Sequence, residues 1–449
     1  MEKNAYERKE TAGRFNQRVV MYGLILLAFL FGVVILHGCG VSPEPTPDDS
    51  EEDKAALFAA GDFEDPETCA GCHVDIYEAW SGSLHAHAWT DELFQVEYVM
   101  AHEDTDGLTD TFCASCHTPI GVAVGQVPPY DGSEVDEISA RGVSCDYCHT
   151  VSAVVDTKNA MTEKDPGSVK RGPRGDGTSP AHEVMFSETH KSAEICGACH
   201  NVNHPINELP LETTYTEWEE SPYAAEGITC QDCHMTPGPG VGENPGKSAT
   251  MGQERDNVAT HYFVGGGVMM FSALESEVHA QKAEERLQAA VDLGLEAEAR
   301  EDEMLITVDL TNEAAGHMLP TGLTNVRKMW IEVTVKDQQG DIVYTSGHEL
   351  DGNHIDTEAV YFHTVFGDEE GNKTDEVWLA EEVLFEQRIG PKETFTQDYT
   401  VEAAEGEYTI QARFLYRSAP QYLADKLFGE GELVIPTVEA ASKTIEFKM

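Results

Sequence analysis

The sequence predicts a multi-domain molecule, a mostly helical and irregular amino-terminal part followed by an all-β sandwich of the immunoglobulin-like sort. Three observations predict it. One pentapeptide, Cys-x-x-Cys-His, recurs five times between residues 69 and 234 and not beyond. A stretch with helical apolar spacing comes next. From residue 304 onward, apolar and polar residues alternate, the period of strands with one buried face.

The five copies are Cys69-Cys72-His73, Cys113-Cys116-His117, Cys145-Cys148-His149, Cys196-Cys199-His200 and Cys230-Cys233-His234. Two thiols at this spacing can add to the two vinyl groups of one haem while the adjacent His binds its iron, so each copy reads as a c-type haem site. Chance placement would give about 0.01 such pentapeptides in a chain of this composition. Structural zinc also uses Cys-x-x-Cys pairs, but gives no reason for a His after every second Cys. The expectation is five covalent haems, with the five His as proximal ligands.

The chain has 449 residues, enough for more than one core, and a formal charge of −52. That charge excludes nucleic acid as a partner, because phosphate would be repelled. Its first reading is solubility; docking to basic partners is the second. Near the amino terminus Lys3, Arg8, Lys9, Arg14 and Arg18 precede an uncharged apolar run from Val19 to Leu36. Residues 1–38 therefore read as an export signal or membrane anchor. Leu36-His-Gly-Cys39 resembles a bacterial lipoprotein box, with Cys39 as the lipidated residue; an uncleaved anchor with an incidental Cys is the alternative. Residues 39–66, acidic and Pro-rich, read as a tether. The expected destination is the periplasm or the cell surface.

Residues 67–270 form the expected haem domain. About 35 to 50 residues per motif is too little chain for an independent core around each, so haems must supply much of it. Short helices at the motifs and long loops are expected. The loop from Thr157 to Pro180 is locally basic and reads as a solvated insertion or a docking surface. A second His on the opposite face of each iron would make a low-potential carrier. His85, His182, His190, His261 and His317 are the candidates, with His87, His102 and His204 in reserve. Met235 and Met318 are weaker candidates, and Met235 adjoins a proximal His.

The stretches Glu67 to His85, Arg141 to His149 and Gly227 to Met235, together with Gly316-His-Met-Leu-Pro-Thr-Gly322, resemble the cytochrome c554 family of multihaem cytochromes. The likeness covers about residues 67–330. It implies closely stacked haem pairs, mostly bis-His ligation and respiratory electron transfer, with His85, His190, His261 and His317 as distal ligands. Relatives include nitrite and hydroxylamine enzymes. This chain departs from the nitrite reductases in having no Cys-x-x-Cys-Lys site.

Residues 271–293, with Leu274, Val278, Leu287 and Val291 at helical spacing and Gly294 as a stop, read as a connecting helix. The alternating runs at 304–310, 329–335, 341–344, 395–399 and 408–416 then build the β domain, 294–449. The expected function is single-electron transfer between a membrane quinol oxidoreductase or other cytochrome and a further acceptor, one outside the cell included. An enzyme with one open haem, acting on nitrite or hydroxylamine, is the alternative. A structural haem subunit of a larger complex is the third.

Overall fold

The structure, a computed structural model, describes residues 57–449, which fall in one compact unit. The apolar run at 19–36 and Cys39 lie outside the described residues. Among the described residues no helix is long and apolar enough to cross a membrane.

From residue 57 to 267 the elements are short. Each motif lies on or beside a helix: Pro66–Ala70, Asp110–His117, Cys145–Thr150, Glu194–Gly197 and Cys230–His234. The longest helix here is Glu92–Thr105. Polar caps hold helices too short to persist on propensity alone. Asp65 accepts from the Glu67 amide (2.9 Å), and Thr229 and Asp232 form a reciprocal capping box around the fifth motif. Apolar clusters in this half are small, such as Ile120, Val124, Tyr147 and Val151 with Phe63.

Helix Val268–Ala273 and helix Glu277–Ala290 join the halves. A turn at Leu274–Ser276, with Glu275 at φ 56°, separates them and resets the helical phase. The buried face therefore runs through His279, Ala283 and Leu287, whereas Val278, placed on it by spacing alone, is 55% exposed. Gly294 is not the stop. The chain passes directly into a strand at Val291, and Gly294 lies inside it, where the Asp309 side chain packs close to its Cα.

The carboxy-terminal half holds two antiparallel sheets over one core. Strands β1 (Val291–Arg300), β2 (Glu303–Asn312) and β8 (Thr394–Glu402) form the smaller, in order β8-β2-β1. The larger contains β3 (Lys328–Asp337), β4 (Ile342–Ser346), β5 (Val360–Gly367), β6 (Lys373–Thr374), β7 (Glu382–Gln387), β9 (Glu407–Arg417) and β10 (Val438–Lys448). β3 pairs with β9, β5 and β4. Strand β2 alternates strictly, burying Met304, Ile306, Val308 and Leu310 against Ile331, Val333, Phe362, Ile410 and Phe414 of the facing sheet. β3 is buried on both faces because Trp330 on its far side is covered by the Arg417 guanidinium, 5.4 Å from the ring centre.

The halves are joined by specific contacts. Glu217, on helix Thr214–Glu219, accepts from the Met318 amide (3.1 Å) and the Thr321 hydroxyl (2.7 Å), and pairs with Arg388. His204 Nε2 lies 3.1 Å from the Trp378 carbonyl oxygen, and Leu211 packs with Phe366 and Ala380.

Candidate functional site

All five motifs open into one connected cavity of about 2730 Å³. That is several times the roughly 300–1,000 Å³ of a pocket for one small ligand, as a stack of large cofactors requires. The ten motif cysteines are all free thiols. Among the described residues no three His, Cys, Asp or Glu side chains converge as a metal cluster would.

Each motif histidine is fixed through one ring nitrogen. His73 Nδ1 donates to the Ser248 carbonyl (2.6 Å), His117 to Ala88 (2.7 Å), His149 to Arg171 (2.5 Å) and His234 to Val264 (2.9 Å). A carbonyl only accepts, so the proton is assigned to Nδ1 and the lone pair to Nε2, the atom an iron needs. His200 differs: its Nδ1 faces Glu212 Oε1 at 3.3 Å. Burial disfavours the charged form of His149 and pushes His117 and His234 down to about 4. For His200 burial also opposes the charge, yet the hydrogen bond and charge of Glu212 push it up to about 9.

Four motif histidines face a second imidazole. Ring centroids are 6.3 Å apart for His73 and His182, 5.6 Å for His149 and His190, 6.1 Å for His200 and His85, and 6.3 Å for His234 and His317. Two imidazole–metal bonds of about 2.0 Å in line, plus about 1.2 Å from each nitrogen to its ring centre, give about 6.4 Å. The three pairs at 6.1–6.3 Å fit one iron between the rings; His149 and His190, 5.6 Å apart, sit closer than that. In that closer pair both ring nitrogens of His190 are engaged, Nδ1 2.9 Å from Ser187 Oγ and Nε2 2.9 Å from the Cys148 carbonyl oxygen, so its ring must turn to free Nε2 for an iron. Both second-ring histidines at the chain's extremes, His182 and His317, turn Nδ1 to a neighbouring carbonyl, of Glu183 (3.0 Å) and Met318 (2.9 Å).

The second motif is the exception. Among the described residues no other histidine ring faces His117; Phe94 lies parallel to it, 3.6 Å away and tilted by 4°. His261 is buried with its ring against Phe263 and its Nδ1 3.2 Å from the Ala259 carbonyl oxygen; the motif histidines His149 and His73 are its charge neighbours, with no ring contact to either among the described residues. Of the reserves, His102 stacks on Tyr130 and bonds Asp110, while His87 and His204 each meet a backbone carbonyl. Glu97, three residues beyond Phe94, lines the cavity, and burial with Asp91 and Glu376 nearby pushes it up to about 7.

Thiols from different motifs come together. Cys69 is an electrostatic neighbour of Cys145, Cys116 of Cys199, and Cys196 of Cys230. Cys148 is also a charge neighbour of Cys199. The order in space is therefore first, third, fourth, with the second and fifth both beside the fourth. The loop from Thr157 to Pro180 is part of this scaffold. It supplies the Arg171 carbonyl to His149, and its cations are used internally, Lys170 on Asp146, Arg171 on Asp165 and Arg174 on the Asn257 carbonyl.

A Cys pair outside any disulfide, an anchored imidazole and a shared cavity at every motif fit a multihaem c-type cytochrome. The family model for cytochrome c554 and c-prime matches residues 68–150. A solved penta-heme cytochrome c552 from Thermochromatium tepidum superposes with a TM-score of 0.62 at 20% identity, covering 86% of this chain and 99% of that one. Cytochrome c nitrite reductase subunit NrfA of Nitratidesulfovibrio vulgaris is 23% identical over 189 residues, 38% of this chain and only 34% of that protein. The chain is a multihaem c-type cytochrome resembling the cytochrome c554 family.

Proposed function

We propose that each of the five motifs holds one covalent haem and that the protein carries single electrons in a respiratory chain. The four facing imidazole pairs are the observation that carries this reading, because an iron held on both faces has no position for a substrate. In it His73, His117, His149, His200 and His234 are proximal ligands, and His182, His190, His85 and His317 are the opposite ones. The haems bring one-electron chemistry; the chain holds their iron ligands, fixes ring planes and keeps water out. Export, lipidation at Cys39, and donors or acceptors among other cytochromes, quinol oxidoreductases or extracellular oxidants belong to the same proposal. The shared core of the two carboxy-terminal sheets supports reading them as an immunoglobulin-like sandwich, which presents His317 to the fifth motif.

The second motif favours a second reading. A haem there would have His117 on one side and no histidine on the other, leaving a position for a small molecule such as nitrite or hydroxylamine. Carbon monoxide added to the dithionite-reduced holoprotein, followed by assays of nitrite and hydroxylamine consumption, separates the two. One equivalent of carbon monoxide bound at the second motif with no turnover is the outcome for a carrier. One equivalent bound, with consumption of either compound, would replace that reading by an enzyme.

A further inference from the structure

We propose that Glu212 is a positioning residue for His200 that lowers the reduction potential of the haem at the fourth motif relative to a carbonyl-anchored site. The inference rests on a haem being held there, and goes beyond it. Four of the five motif histidines donate Nδ1–H to a backbone carbonyl, which is neutral; His200 alone donates to a carboxylate. A buried anion on the far nitrogen makes the imidazole a stronger electron donor, which stabilises ferric over ferrous iron. The Glu212 side chain is 15% exposed, while the His200 ring opens on the shared cavity and is 52% exposed. Glu212 is itself held in place. Its Oε1 accepts from the Thr214 hydroxyl at 3.3 Å, and Thr214 meets Thr321 at 2.8 Å.

The location gives the residue its consequence. Cys199 approaches Cys116 of the second motif and Cys148 of the third, and Cys196 approaches Cys230 of the fifth. The fourth site is thus the branch of the chain. A lowered potential at a branch keeps an electron from resting there, so that it passes to one of the three neighbours. Were a haem bound there, its change would be one electron at the iron, with Glu212 acting only through its hydrogen bond to His200.

The test is a spectroelectrochemical titration of the holoprotein with haem counted as the pyridine haemochrome. In Glu212→Gln, which keeps an acceptor oxygen and removes the charge, one component of five moves upward. Its reduced fraction rises about tenfold at a fixed poise, or about 59 mV for one electron. In Thr214→Val, which frees the carboxylate from a competing donor, the same component moves downward. Five haems retained with no component moved in either variant would overturn the proposal. If Glu212→Gln fails to take up haem, Thr214→Val decides alone by the sign of its shift. Fewer than five haems in the unaltered protein, with the fourth motif's peptide unmodified by mass, would overturn the underlying haem reading instead.

Discussion

The two halves of this molecule solve the same problem with different materials. The carboxy-terminal half builds its core from side chains: Met304, Ile306, Val308 and Leu310 of one sheet meet Ile331, Val333, Phe362 and Phe414 of the other. The amino-terminal half has small apolar clusters around a large cavity lined by thiols and imidazoles. One half can fold on burial of its own apolar surface. The other depends on what is attached to it, and a chain of short capped helices is the form such dependence takes.

The strongest way to break this comparison is to remove cofactor. Replacing both Cys196 and Cys199 by Ala should leave residues 67–270 open to limited proteolysis, while 291–449 stays resistant; cleavage spread evenly over both halves would contradict it. The reverse experiment is Phe414→Ala. It should cost about 3–5 kcal/mol by the usual penalty for a buried aromatic truncation, read as a lower denaturant midpoint, with the haem spectra of the native protein unchanged. A shift in those spectra would mean that the halves share one core.

The joint between the halves sharpens the picture. Arg388→Met leaves the Glu217 carboxylate buried without its partner, at a cost of about 3 kcal/mol. It should also alter the EPR signal of one haem, because Glu217 accepts from the amide next to His317. The pH dependence follows the sign of the pair. Burial raises the Glu217 carboxyl but Arg388 and its hydrogen bonds lower it further, below its ordinary 4.5. Its contribution is therefore present above pH 4.5 and lost as pH falls through the lower folded value. Acid unfolding below pH 4.5 should be steeper in the unaltered protein than in Arg388→Met; equal slopes would show that the pair is not the acid-sensitive joint. The smallest effect is at the first motif, where Asp65→Ala removes a cap worth about 1 kcal/mol and should raise amide exchange only around Pro66–Ala70.

What was legible in the sequence follows the same division. Attachment is written in five contiguous residues, so every thiol and motif histidine could be named. The opposite rings could be shortlisted by type, and His85, His182, His190 and His317 do face motif histidines. Which meets which was not legible, because each pairing spans a different length of chain. His261, named for its Gly-rich surroundings, packs its ring on Phe263 with His149 and His73 as charge neighbours. Phe94, Glu212 and Glu217 carried no signal at all, since an aromatic or acid in a short helix or strand has no pattern that marks its partner. Strands β2, β3 and β9 were plain from alternation. β10 was not, because Val438-Glu-Ala-Ala-Ser-Lys-Thr holds few large apolar residues and owes its place to pairing with β9. The helix face was misplaced at Val278 because a turn reset the phase.

The central claim is that four motif histidines share an iron with a second imidazole and that His117 does not. Low-temperature EPR of the oxidised holoprotein, with high-spin and low-spin ferric haem integrated separately, tests it directly. The account predicts four low-spin equivalents and one distinct haem, high-spin or altered by added nitrite, that disappears when Cys113 and Cys116 are replaced by Ala. Five low-spin equivalents, none altered by nitrite, would place a histidine opposite His117 and contradict it.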